Sequence, residues 1–245
     1  VCVCLTPWGD RTGYVHATHY SDGTLIPPTA PEGLRALPCV CSEEQTRAAL
    51  PVLYRRWCNL PAHLGTFTGY DTRDADPRAA AHKQAALEAV KQWAQGKGAP
   101  LLFLLGTPGT GKTHLATAAI SALLGAPVYA RYEHVPSLID DLREHQLDYE
   151  YVERHAQLQA VEALALDDLG GASSSLTEWA LGECYKVVDG RYRNDKPLLV
   201  TTNCAAEVLE AVEPRLWSRL MDRGRGRQVV MAWADARQEV RHGSL

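Results

Sequence analysis

The residues best placed to do chemistry are Gly106-Thr107-Pro108-Gly109-Thr110-Gly111-Lys112-Thr113, which fit the pattern G-x-x-x-x-G-K-[ST] without a mismatch. That pattern is a phosphate cradle. Its glycines let the backbone turn tightly, so that successive N–H groups point at one anion, and a helix N-terminus behind them adds its positive end. Lys112 brings a full positive charge to the β- and γ-phosphates, and the Thr113 hydroxyl is a ligand for Mg²⁺. Gly106 to Thr113, with His114 beside them, are therefore the candidate nucleotide-binding residues. A chance Gly-rich turn is the plain alternative, and the context speaks against it. Leu101 to Leu105 form an apolar run that reads as a buried strand, and residues 113–124 read as a helix with Leu115, Ala118, Ala119 and Leu123 near one face.

A phosphate cradle that turns over its ligand also needs a metal ligand and a group that prepares water. The run Ala163-Leu164-Ala165-Leu166 ends in Asp167 and Asp168. In a parallel sheet, ligands bind beyond the carboxyl ends of the strands. Asp167 is expected to face the cradle and hold Mg²⁺ through water, and Asp168 to orient or deprotonate the attacking water. An acidic surface turn is the competing reading. A third run, residues 197–202, ends at Asn203. Its amide could donate to a γ-phosphate and accept from water, or simply open a turn. Residues 214–227 are rich in arginine. Leu216 and Leu220 lie four apart, so 214–222 reads as a short amphipathic helix, with Arg215 and Arg219 sharing its other face. Two guanidiniums on one stripe could reach a neighbouring subunit's phosphate, or form an ordinary solvated basic face. Residues 228–233 read as the last strand, after which Arg237 could return to the nucleotide from the same chain.

These side chains need a parallel sheet with helices around it. Residues 78–95, 136–145 and 149–159 read as helices, and 129–132 as a strand. Strands alternating with helices give an α/β fold, a P-loop parallel sheet flanked by helices. The 245 residues suffice for one domain of about 200 residues and a small appendage, and 46% hydrophobic content supports a real core. A net charge of −4 excludes a bulk polycation, so any nucleic-acid contact must come from a local patch. Candidate patches are the aromatic and basic run Tyr129 to Tyr132, helices 136–159 and the small polar loop Ser173-Ser174-Ser175. No apolar run approaches the roughly 20 residues of a membrane span, and no basic-then-apolar leader opens the chain. A cytoplasmic protein is expected. The chain starts at Val1 rather than Met, which leaves room for residues upstream.

The first fifty residues differ in character. Cys2 and Cys4, then Cys39 and Cys41, flank a Gly-, Pro- and Thr-rich stretch in which Asp10 to Tyr14 read as a turn. Four thiolates make a tetrahedral set for structural Zn²⁺, with His16 and His19 as possible substitutes. The same four could remain reduced thiols. So small a module has too little core to fold alone, and metal would supply its folding energy. Cys58, Cys184 and Cys204 stand alone and are expected to pack as small hydrophobes. The expected division is a cysteine-rich module over 1–50, a linker over 51–75 and the P-loop nucleotide-hydrolysing domain over 76–245. Within 42–61 a short helix is expected, interrupted at Pro51.

The order of the motifs, P-loop, Asp-Asp, Thr-Thr-Asn, paired arginines, late arginine, resembles an AAA+ ATPase with Walker A, Walker B, sensor 1, arginine finger and sensor 2. Within that superfamily it resembles the DnaC/DnaI-type replicative helicase loaders, with the IstB-type transposition ATPases as close relatives. Leu104 to Ala116, Leu166 to Gly170, Glu178-Trp179-Ala180, Asp189 to Tyr192, and Arg215 to Arg219 carry the resemblance, which covers about residues 60–240. It implies that ATP is the nucleotide. It also implies that Arg219 is the arginine finger acting in a self-associated oligomer, that Arg237 is the sensor 2 arginine, and that Arg215 is a further basic position. The implied partners are a replicative DNA helicase, gripped by the N-terminal region, and single-stranded DNA. Eight residues follow Arg237, too few for a full C-terminal helical lid, as in loaders of this type. Some loaders similarly carry an N-terminal zinc module. The alternatives implied are a transposition regulator of the IstB type and a nucleotide-gated binding module with little turnover.

Overall fold

In the computed structural model, residues 14–16, 36–38, 58–123, 129–171 and 176–233 are described. The chain divides into two units between Arg56 and Trp57. In the first, strands β1 (Tyr14–His16) and β2 (Ala36–Pro38) pair antiparallel, with Tyr14 opposite Pro38. Cys2, Cys4, Cys39 and Cys41, proposed for zinc, lie outside the described residues, as do Ser173 to Ser175, Arg237 and all but the last four residues of the helix expected within 42–61; residues 58–61 are not helical.

The second unit holds a five-stranded sheet, β3 (Leu101–Gly106), β4 (Ala130–His134), β5 (Ala163–Leu169), β6 (Leu198–Thr202) and β7 (Gly226–Met231). Its spatial order is β4-β5-β6-β3-β7, and every pairing is parallel. Between the strands run α1 (Pro77–Ala94, preceding β3), α2 (Lys112–Leu123), α3 (Val135–Glu144), α4 (Tyr149–Ala160), α5 (Glu178–Arg193), α6 (Ala206–Val212) and α7 (Pro214–Leu220). Parallel neighbours need such crossovers, and a sheet covered on both faces reads as continuous apolar runs.

Side-chain alternation along the strands divides the core in two. Phe103, Leu164, Leu166, Leu198 and Val200 pack beneath α3 to α7 with Ile139, Leu158, Leu181, Val187 and Leu216. Leu102, Leu104, Ala165 and Leu199 face α1 and α2, meeting Leu87, Val90, Leu115, Ala116, Ala119 and Ile120. The alanines on α2 and Ala163 and Ala165 on β5 are small enough for that helix to lie close over the sheet centre.

The helix starts follow local chemistry. Asp76 accepts a hydrogen bond from the Arg78 N–H and Pro77 takes the first helical position of α1. Thr177 caps α5 in the same way, accepting from the Ala180 N–H. The fully buried Arg191 ties the sheet's rear edge. Its Nη1 donates to the Leu158 and Val161 carbonyls and its Nη2 to those of Glu162 and Pro197, at 2.7–3.0 Å. Burial pulls its pKa down to about 10.

Residues 58–75, which the sequence places in a linker, lie against the core of the second unit. Cys58 is buried in the α1–α2 core layer with Leu60, Phe67 and Tyr70 against it. The Gly65 N–H donates to Thr117 Oγ1 on α2. β7 begins two residues earlier than its apolar run suggests, because parallel pairing with β3 starts at Leu101 opposite Gly226. Among the described residues no helix is long and apolar enough to cross a membrane.

Candidate functional site

The phosphate cradle joins the C-terminal end of β3 to the N-terminus of α2. Gly109 and Gly111 adopt positive φ, +81° and +90°, a region that costs little only for glycine. At Gly111 a Cβ would also come within 2.6 Å of Tyr70 Cε2. Gly106 sits so close to Met231 on β7 that a Cβ there would overlap the Met231 carbonyl oxygen. Lys112 is buried under the loop it serves. Its Nζ donates to the Gly106 and Thr107 carbonyls at 2.8 and 2.7 Å and to Thr110 Oγ1 at 3.2 Å. Thr113 is exposed at the mouth of the loop.

The residues 65–71 wall one side of this cradle. The Tyr70 hydroxyl and Trp233 Nε1 both donate to the Thr110 carbonyl, at 3.3 and 3.2 Å. His114 Nε2 lies 2.8 Å from the Thr66 carbonyl, with its ring 5.7 Å from that of Tyr70. A cavity of about 490 Å³ opens here, lined by Tyr70, Arg73, Gly109, Thr110, His114 and Trp233 among others. Aromatic walls beside a phosphate loop suit a nucleotide's base and sugar. Tyr70 and Trp233 carry no motif, and only their aromatic type near the ends of the domain could have hinted at them.

Asp167 and Asp168 lie near the C-terminal end of β5, at the same end of the parallel strands as the loop after β3. The β5–β6 register shifts between Leu166 and Leu169, and Asp168 takes φ +63°. That left-handed kink gives two successive carboxylates different surroundings. Asp167 is 1% exposed. Its Oδ1 accepts from the Thr201 hydroxyl at 2.6 Å and its Oδ2 from the Tyr132 hydroxyl at 2.7 Å. Burial, then the neighbouring Asp167 charge, pushes the Tyr132 phenol well above its ordinary range, so it stays a donor. Thr201 Oγ1 also accepts from the Asp168 N–H, bracing the kink. Asp168 Oδ1 accepts from Asn203 Nδ2 at 2.6 Å, and its Oδ2 lies 4.0 Å from His134 Nε2. Asp168 and Asn203, which the sequence places on water and on the γ-phosphate, are thus in contact with each other. Tyr132, read as a possible DNA contact, is instead buried on Asp167, and Arg131 beside it is paired with Glu133.

By chemistry the proposed donors, the Asp167 carboxylate and the Thr113 hydroxyl, are oxygens of the kind that suit a hard divalent cation such as Mg²⁺. Neither sulfur nor imidazole enters that pair.

The arginine helix forms as expected, but its stripe is not free. Arg215 makes a two-pronged pair with Glu213 at 2.8 Å and lies over the Tyr185 ring. Arg219 Nε donates to Asp189 Oδ1 on α5 at 2.9 Å, and Arg193 holds the other oxygen of that carboxylate. The Tyr192 ring carries both the Arg219 and Arg225 guanidiniums, 4.7 and 4.8 Å from its centroid. Cys58 and Cys184 are buried, with thiols pushed up by desolvation to about 11 and about 12, as befits inert packing. Cys204 is only partly buried.

This geometry has relatives. The DnaC helicase loader superposes with a TM-score of 0.57 at 19% identity, over 72% of this chain and 99% of that one. AMPPCP-bound DnaA from Aquifex aeolicus superposes with a TM-score of 0.57 at 22% identity, over 74% of this chain and 54% of that one. At these identities the likeness is one of fold, the P-loop AAA+ fold. In sequence, the phage-like element PBSX protein XkdC of Bacillus subtilis (strain 168) is 31% identical over 125 residues, 49% of this chain and 46% of that protein. The chain spans about half the length of the curated relatives it matches. The family model of the IstB-like ATP binding proteins matches residues 42–224. With the phosphate cradle, the paired carboxylates, Arg215 and Arg219 inside that span, the chain belongs to the IstB-like ATP binding protein family.

Proposed function

We propose that this protein hydrolyses ATP and uses it to load a replicative DNA helicase. The observation that carries the hydrolytic part is the Asp168–Asn203 contact next to the Asp167 carboxylate, at the strand ends that bear the phosphate loop. Loop N–H groups and Lys112 bind the phosphates, and Lys112 must exchange loop carbonyls for phosphate oxygens to do so. Mg²⁺ held by Thr113 and Asp167 supplies charge neutralisation of the β- and γ-phosphates. Asp168 accepts the proton of the attacking water, with the Asn203 amide fixing the carboxylate's orientation. Arg219 of a neighbouring copy completes the charge at the transferring phosphoryl group, and Arg237 adds to it from the same chain.

The loader role is supported by the motif order and by a fold shared with the DnaC helicase loader. The N-terminal unit, with a zinc ion on Cys2, Cys4, Cys39 and Cys41, is the helicase grip in this reading, and the ATPase unit touches single-stranded DNA. The test is to mix the full chain with the replicative helicase of its own host or phage and measure complex mass with and without ATP. A stoichiometric complex that is lost on deleting residues 1–56 supports the loader. No complex in any nucleotide state, with capture by a transposase instead, replaces it by the transposition reading that the family name favours.

A further inference from the structure

Asp167 is gripped by two hydroxyls, and one of them comes from a strand without any nucleotide motif. Tyr132 lies on β4 with its side chain buried. Its cross-strand partner on β5 is Ala165, and both belong to the core layer under α1 and α2. Asp167 is two residues beyond Ala165, so it shares that face one diagonal step away. Only a long side chain spans such a step, and it needs a terminal donor to meet a carboxylate. The phenol does so, donating to Oδ2 at 2.7 Å while Thr201 donates to Oδ1 at 2.6 Å. An ionised carboxylate has about four acceptor lone pairs. One on each oxygen is consumed, which fixes the rotation of the group and leaves one lone pair on each.

We propose that Tyr132 is a positioning residue for the metal–nucleotide site, its hydroxyl setting the orientation in which Asp167 meets hydrated Mg²⁺. This inference rests on the ATP-site reading above. Partners that orient a ligand group from outside its metal are worth about ten- to a hundredfold in metal affinity. The proposed effect is therefore on Mg²⁺ dependence and not on nucleotide binding as such. The ring fills the same volume with or without its oxygen, so the packing and the hydrogen bond can be separated.

The experiment is Tyr132→Phe in the full chain, titrated with a fluorescent ATP analogue in EDTA and again at stepped Mg²⁺ concentrations. The ratio of the two affinities within one variant cancels any change in folded fraction. The expected result is unchanged binding in EDTA and a rise of about tenfold or more in the Mg²⁺ concentration that gives half of the metal-dependent tightening, with turnover regained at excess Mg²⁺. An unchanged Mg²⁺ midpoint, or an equal loss of binding with and without metal, overturns the role. Wild-type protein that binds the analogue without any Mg²⁺ dependence overturns the underlying site reading instead.

Discussion

Asp168 bears the largest demand of any single residue. It takes a left-handed backbone conformation, φ +63°, that aspartate tolerates better than most residues but not freely. The backbone there is held from both sides, by Thr201 on its N–H and by the Gly171 N–H on its carbonyl. Strain kept in place by neighbours is a mark of sites where orientation counts more than stability. The side chain is a quarter exposed, while that of Asp167 is sealed in. The two carboxylates thus differ in access: one suits contact with water, the other suits a fixed ligand. Asp168→Asn keeps the shape and the Asn203 contact but removes the proposed base. Phosphate release should fall by about a hundredfold or more, with the affinity for MgATP little changed. A variant that retains most of its turnover would move the base elsewhere, His134 being the next titratable group.

At the scale of elements, the site depends on strand ends being level, and Arg191 sets part of that level. From α5 it takes carbonyls at the α4–β5 turn and at the entry to β6. These are the two strands whose far ends present Asp167, Asp168 and Asn203. Arg191→Leu would take that donor from four carbonyls, of which those of Leu158 and Val161 are in buried hydrogen bonds, at about 1–3 kcal/mol for each buried one left unsatisfied. Chemical denaturation should show a loss of about 3 kcal/mol or more, and a change below 1 kcal/mol would mean that water replaces the guanidinium. This clamp illustrates what the sequence does and does not disclose. The strands and helices around Gly106–Thr113 were legible because an apolar run, a glycine turn and a helical repeat each obey a local rule. Helix α5 was marked only by the motif residues at its ends, although Leu181, Cys184, Val187 and Val188 repeat at helical spacing after the Thr177 cap. The start of β7 depends on its register with β3, which no local pattern encodes. Tyr132 was misread for a similar reason. An aromatic on a strand reports burial or exposure, but its hydroxyl partner is 35 positions away in the chain.

For the whole molecule, the question is whether one chain holds a complete site. Arg219 engages Asp189 and Tyr192 of its own chain, on the side of the sheet formed by α5 and α7. Its side chain is about one-third exposed, so an approaching copy can reach it. The proposed exchange has an electrostatic rationale. Asp189 keeps Arg193 as a counter-ion when Arg219 leaves, and a phosphoryl group offers the guanidinium more charge and a second prong. An arginine delivered between subunits couples turnover to assembly, and removing one costs about 10³–10⁵ in rate. Mixing two dead variants tests this directly. Arg219→Ala binds nucleotide and lacks the delivered charge, while Asp168→Asn lacks the base but still offers Arg219 to its neighbour. Each alone should be nearly inactive, and their equimolar mixture should regain a measurable fraction of wild-type phosphate release that grows with protein concentration. A mixture no more active than its parts would confine Arg219 to its own chain, and its pairing with Asp189 would then be a structural bond between α5 and α7.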